Sequence, residues 1–178
     1  LLYGDKDEDI LWDRLRTKYK EKASKGAIIK EKAQVYAANI KEEMRVFKKL
    51  GMCGFMLFMS ELISWCKENN IPVGAGRGSC TGSTVAYIGD ITDVDSVVWN
   101  TMFARFCNEY RTELGDIDCD FAPDDRDKVF QYIIDRFGLE YTGYVFSNGT
   151  VKEKGVLDEI GRGLDNKWKI EHGYKIKD

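Results

Sequence analysis

Between Ala33 and Leu50 the apolar positions recur at steps of three and four: Ala33, Tyr36, Ala37, Ile40, Met44, Phe47 and Leu50. That spacing lines one face of an α-helix, and Gly51 stands where a helix C-terminus favours glycine. A second helix is predicted from about Phe55 to Lys67, apolar through Phe55, Met56, Phe58, Met59, Leu62, Ile63 and Trp65 and broken at Asn69-Asn70. Methionines and aromatics at this spacing fill a core. The short apolar run Ile71-Pro72-Val73 reads as a strand, followed by a glycine-rich turn and a helix through Val85, Ala86 and Ile88.

From Gly115 to Phe121 the period changes to two, so that a strand here puts Asp116, Asp118 and Asp120 on one face and Ile117, Cys119 and Phe121 on the other. Asp124 and Asp125 then offer an N-cap for a helix whose stripe is Val129, Phe130, Ile133, Ile134 and Phe137, ending at Gly138. Tyr141 to Phe146 reads as a neighbouring strand, and Ser147-Asn148-Gly149 as a turn into a last helix from about Val151 to Leu164. The tail from Asp165 to Asp178 fits a strand, a disordered end or a docking segment equally well. The expected fold class is therefore α+β, with an α/β-like mixed sheet under covering helices.

Charge refines this picture. The stretch from Asp7 to Lys32 is the most basic, with Arg14, Arg16, Lys18, Lys20, Lys22, Lys25, Lys30 and Lys32, and reads first as a solvated helical face and second as a contact for a phosphate backbone. Over all 178 residues the net charge is only −3, so no overall basic field draws in nucleic acid. The five cysteines include no C-x-x-C pair and there is one histidine, His172, which excludes the familiar zinc spacings. Their odd number and apolar neighbours suggest reduced thiols in a cytoplasmic protein. The longest apolar run, Phe55 to Met59, is too short to span a membrane. With neither a start methionine nor a signal peptide at Leu1-Leu2-Tyr3-Gly4, the chain is expected to begin within a longer protein.

The candidate chemistry lies in two stretches. Three aspartates on one face repel one another, and a divalent cation is the usual compensator; the other reading is an edge strand kept from pairing by its charges. Mg²⁺ held by one or two carboxylates together with substrate phosphates is the arrangement that phosphoryl and nucleotidyl transfer require. The second stretch is Gly74-Ala75-Gly76-Arg77-Gly78-Ser79, where glycines admit a close phosphate, helix-start N–H groups point at it and Ser79 adds a hydroxyl. It is neither a Walker loop nor the dinucleotide fingerprint, and a tight structural turn is the competing reading.

Taken in order, Ile71-Pro72-Val73-Gly74-Ala75-Gly76-Arg77-Gly78-Ser79, Gly82-Ser83, Val85-Ala86-Tyr87 and Ile91-Thr92-Asp93-Val94-Asp95 closely resemble the palm of the C-family bacterial replicative DNA polymerases, the DNA polymerase III alpha subunits. Phe103, Arg105-Phe106, Asn108 and Arg111 are similar to the family's segment before the catalytic strand, and Asp116-Ile117-Asp118 with Asp120-Phe121 resembles that strand. Lys48-Lys49-Leu50-Gly51, Phe55 and Trp65-Cys66-Lys67-Glu68-Asn69 resemble the two helices before the glycine turn, and Gly149-Thr150, Lys154, Val156, Gly161-Arg162 and Leu164 the start of the thumb. Gly115 replaces the family's usual proline, Ala104 an acid, Glu109-Tyr110 the central Pro-Glu of an Asn-Pro-Glu-Arg segment, and Asp158-Glu159 an Arg-Asp pair.

The resemblance implies a truncated nucleotidyltransferase palm like that of DNA polymerase beta over residues 1–147, with the start of a thumb over 148–178. It implies that Asp116 and Asp118 ligate two Mg²⁺ ions and that Gly76, Arg77, Gly78 and Ser79 hold the triphosphate. Arg105, Arg111, Lys154 and Arg162 become candidates for DNA or triphosphate contact, each with a reading as a surface charge, and Asp120 supports the row without a firm ligand role. Implied partners are primer-template DNA, deoxynucleoside triphosphates and a second polypeptide or segment carrying a third aspartate and the fingers, in a bacterial cell or encoded by a phage. Two other classes stay open: a non-catalytic palm-like module that binds nucleotide, DNA or a replisome partner, and a free-standing small nucleotidyltransferase taking its third acid from Asp135, Asp158 or Asp165.

Overall fold

The computed structural model describes residues 3–110 and 115–145, together with 149, 155, 156 and 160. Residues Leu1–Arg136 form one compact unit and Phe137–Asp178 a second. In the first, α1 (Asp7–Ser24), α2 (Ala33–Leu50), α3 (Cys53–Glu68), the short α4 (Thr84–Ile88) and α5 (Pro123–Phe137) are the α-helices among the described residues. No described helix is long and apolar enough to cross a membrane.

The three-and-four spacing of α2 produces the expected face. Tyr36, Ile40, Met44 and Phe47 are buried, and Gly51 adopts φ 66° to end the helix, a conformation an L side chain resists. In α3, Met56, Leu57, Met59, Leu62, Ile63 and Cys66 are buried. The main core joins α1, α2 and α3 to α4, whose Val85, Ala86 and Ile88 are fully enclosed, while Leu62, Cys66, Ile71 and Val129 form a smaller cluster beneath α5.

In the basic stretch Arg16, Lys20, Lys25, Lys30 and Lys32 are exposed, as a solvated face requires, while Arg14, Lys18 and Lys22 are half-buried and engaged. Arg14 donates to Ser60 Oγ at 2.6 Å, to the Ser60 carbonyl at 2.9 Å and to Ser64 Oγ at 2.9 Å, clasping α1 to α3. Lys18 and Lys22 reach Asp90 at 2.9 and 2.6 Å, tying α1 to the turn after α4. Burial alone would raise the Asp90 carboxyl, but the two ammonium groups outweigh it and hold it below its ordinary value.

The α+β expectation is overturned: the described residues are mainly helical and contain neither a strand nor a sheet. Ile71–Val73 and the aspartate segment do meet, through an isolated antiparallel bridge between Val73 and Phe121 and a Gly74 N–H donating to the Asp120 carbonyl at 3.1 Å. A ladder needs a partner along its whole length, and the side-chain alternation of one segment cannot supply it. The run from Tyr141 is likewise not a strand where described: a 3₁₀ turn over Leu139–Tyr141 gives way to irregular chain with Tyr144 and Val145 exposed. Phe146 lies outside the described residues, as does most of the expected last helix, of which residues 155, 156 and 160 are helical.

The helix α5 begins at Pro123, whose missing N–H suits the first turn, so Asp124 and Asp125 lie inside that turn and complement the helix dipole instead of capping it. Of its predicted stripe Val129 is buried, and Phe130, Ile133, Ile134 and Phe137 are half-buried. Gly138 follows with φ 90°.

Candidate active site

From Asp116 to Phe121 burial alternates residue by residue, with the three aspartates exposed and Ile117, Cys119 and Phe121 half-buried. Ile117 and Cys119 pack on the main core and Phe121 on the smaller cluster. The apolar face thus anchors a row of carboxylates that points to solvent. Burial, reinforced by Asp118 and Asp120, pushes the Cys119 thiol up to about 11, so this sulfur stays protonated at neutral pH.

The glycine turn lies directly against this row. A Cβ on Gly74 would stand 3.2 Å from the Asp120 Cβ, and one on Gly78, which has φ 69°, would stand 3.3 Å from Asp118 Oδ2. Gly76, at φ 117°, faces Thr92, whose hydroxyl a side chain would strike and which donates to the Ala75 carbonyl at 2.8 Å. Larger residues at these positions would force the turn off the carboxylates.

Beyond Gly78 the chain forms a 3₁₀ turn over Gly78–Gly82 before α4. On its other side lies a cavity of about 470 Å³ lined by Gly78, Ser79, Thr81, Gly82, Asn100, Thr101, Met102 and Arg105. Thr101 Oγ1 donates to the Thr81 carbonyl at 3.2 Å, and a Cβ on Gly82 would meet the Met102 carbonyl oxygen at 2.7 Å, so the two walls are held in contact by a glycine. Ser79 and Arg105 therefore share one recess.

Arg77 is not among the residues lining that recess. It turns to the aspartates, with Nη1 2.9 Å from Asp120 Oδ1 and Nε 3.6 Å from Asp118 Oδ2. Arg111, Lys154 and Arg162 lie outside the described residues.

The N–H groups at the start of α4 are not available to an anion. Glu43, buried on α2, accepts from Ser83 Oγ at 2.6 Å and from the N–H groups of Thr84 and Val85 at 2.8 and 2.9 Å. Ser83 Oγ in turn accepts from the Ala86 N–H. Burial pushes the Glu43 carboxyl up, against these donors. The signal for this brace is in the sequence: Glu43 falls three residues after Ile40 and seven after Tyr36, on the apolar face of α2.

A second brace also comes from α2. Arg45 and Lys49 pair with Glu109 at 3.2 and 2.9 Å, and their hydrogen bonds hold its carboxyl down to about 2. One helix thereby fixes both the exit of the glycine turn and the loop at Asn108-Glu109.

Asp116 and Asp118 offer hard carboxylate oxygens on an exposed face, and Gly78 leaves open the space beside Asp118 Oδ2. This donor chemistry fits Mg²⁺, which keeps several waters, and does not fit a thiolate or imidazole site. Among the described residues, no group of three or more histidine, cysteine, aspartate or glutamate side chains is arranged to hold a metal.

Residues 8–174 match the family model described as the bacterial DNA polymerase III alpha NTPase domain. Over 129 residues, 72% of this chain, it is 39% identical to the DNA polymerase III subunit alpha of Buchnera aphidicola subsp. Schizaphis graminum and 38% identical to that of Aquifex aeolicus. The identity to the Escherichia coli K12 subunit is 37% over the same length. Each alignment covers 11% of the relative's own sequence. The matched residues include both the aspartate row and the glycine turn. The chain belongs to the DNA polymerase III alpha family.

Proposed function

We propose that this chain is the metal- and nucleotide-binding portion of a bacterial DNA-directed DNA polymerase, extending a primer 3′-hydroxyl with deoxynucleotides in the cytoplasm. The observation that carries this reading is the closeness of Gly78, which lines the recess, to Asp118, whose Oδ2 a Cβ at Gly78 would approach to 3.3 Å. Asp116 and Asp118 would hold Mg²⁺. Two such ions supply activation of the attacking hydroxyl and neutralisation of the leaving pyrophosphate.

The chain's own residues position the reactants. Ser79 and the backbone of the 3₁₀ turn orient a triphosphate, Arg105 adds charge on the facing wall, and Glu43 keeps the turn from moving relative to α2. Fixed geometry matters more than any single contact in phosphoryl transfer. Asp120 stands outside the ligand pair because it carries Arg77. The third aspartate that the family resemblance places beyond the thumb, and the fingers, would come from another segment or polypeptide, as would most of the DNA-binding surface.

The test is primer extension by the purified chain with and without polypeptides carrying those parts, comparing wild type with Asp118→Asn. Extension that needs both the added part and Asp118 supports the reading. Extension unaffected by Asp118→Asn refutes it. The second reading, a binding module without chemistry, is favoured by the absence of a three-acid group among the described residues, and predicts Mg²⁺-dependent nucleotide binding with no extension under any complementation.

A further inference from the structure

The position of Arg77 carries an inference that rests on the metal reading of Asp116 and Asp118 and goes past it. Three exposed carboxylates at alternate positions repel one another, and a guanidinium lies among them: Arg77 reaches Asp120 Oδ1 at 2.9 Å and Asp118 Oδ2 at 3.6 Å. The oxygen it approaches on Asp118 is the same one that faces Gly78. A divalent cation taking that oxygen would meet the Arg77 guanidinium within a few ångströms. The closer contact to Asp120 would survive, leaving the guanidinium tethered next to the turn whose other side is the recess at Ser79 and Arg105.

We infer that Arg77 is a resident cation which divalent metal displaces from Asp118, so that metal binding leaves the guanidinium held by Asp120 alone, beside the glycine turn. Asp120 is then a positioning residue, the tether that keeps Arg77 in reach. The consequence runs against the simple view of Arg77 as an aid to binding. Removing it should tighten the metal.

The experiment titrates Mn²⁺, a spectroscopically visible oxygen-seeking cation, into the full chain by electron paramagnetic resonance, with no nucleotide and no activity readout. All side chains in question are exposed, and far-ultraviolet circular dichroism confirms that each variant is folded. Arg77→Gln is expected to tighten Mn²⁺ about two- to fivefold, the size expected for removing competition from exposed ion pairs. Arg77→Lys, which keeps the charge, should stay near wild type. Arg16→Gln, an equal loss of charge on α1, should change nothing, and Asp118→Asn should abolish binding. Equal or weaker Mn²⁺ binding in Arg77→Gln, or the same gain in Arg16→Gln, overturns the displacement while leaving the metal reading intact. Mn²⁺ binding unaffected by Asp118→Asn, or absent from every variant, overturns both.

Discussion

Replacing Glu43 by alanine strips three donors of their acceptor at once: the Ser83 hydroxyl and the Thr84 and Val85 N–H groups, all buried. A buried donor left unpaired costs about 1–3 kcal/mol. Some of this is relieved by water entering the neighbouring cavity of about 370 Å³, which Glu43 lines with Asn39, Gly82 and Ser96. A net loss of about 3–4 kcal/mol is expected, a large part of the about 5–15 kcal/mol that holds a domain together. In thermal unfolding followed by circular dichroism that is a fall of about 10 °C. Because burial raises the Glu43 carboxyl above its ordinary value, the folded state holds this proton more tightly than the unfolded chain. Its contribution is therefore fully present below the ordinary glutamate pKa of about 4.3 and declines as pH rises through the folded value. Glu43→Gln should flatten that dependence relative to wild type. A loss below about 1 kcal/mol in Glu43→Ala, or an identical pH profile in Glu43→Gln, would show that the carboxylate does not brace the turn.

Three further outcomes follow from particular contacts. Asp90→Asn should destabilise by about 1 kcal/mol in urea titration, because its two lysine pairs are half-buried and partly screened; since Asp90 is held below its ordinary value, the wild-type advantage should be present above about pH 4 and vanish as pH falls further. Gly82→Ala should cost about 1–3 kcal/mol by forcing a methyl against the Met102 carbonyl, whereas Gly143→Ala, with nothing near it, should leave the melting temperature unchanged. Cys66 and Cys80, buried and pushed up to about 11, should resist iodoacetamide at pH 8 until denaturant is added, as mass spectrometry would show; labelling of the native chain would contradict their burial.

The helices were legible because burial and the helical period coincide: Tyr36, Ile40, Met44 and Phe47 announce their shared face in any sequence. The aspartate row was legible for a similar reason, as its period of two survives in the exposure of Asp116, Asp118 and Asp120. The sheet was not, because pairing is a property of two segments, and Val73 with Phe121 is all the bridging these segments show. The glycines of the Gly76–Ser79 pattern pack close to Thr92 and Asp118, and the pattern could not show that Glu43, thirty-odd residues earlier, occupies the helix-start N–H groups. Nor could it show the direction of Arg77, whose long side chain turns to the carboxylates and not into the recess. The basic stretch was legible as a solvated face at Arg16, Lys20, Lys25, Lys30 and Lys32, but charge counts do not reveal partners such as Asp90 and Ser60 for the other three.

The central claim is that the glycine turn and the paired aspartates form one binding site. It is tested most directly by calorimetric titration of a deoxynucleoside triphosphate into the folded chain, with and without Mg²⁺, for wild type, Asp118→Asn and Gly78→Asp. Mg²⁺-dependent heat in wild type that disappears in both variants is the expected result. Binding that persists in either variant, or none by a folded wild-type chain, would contradict it.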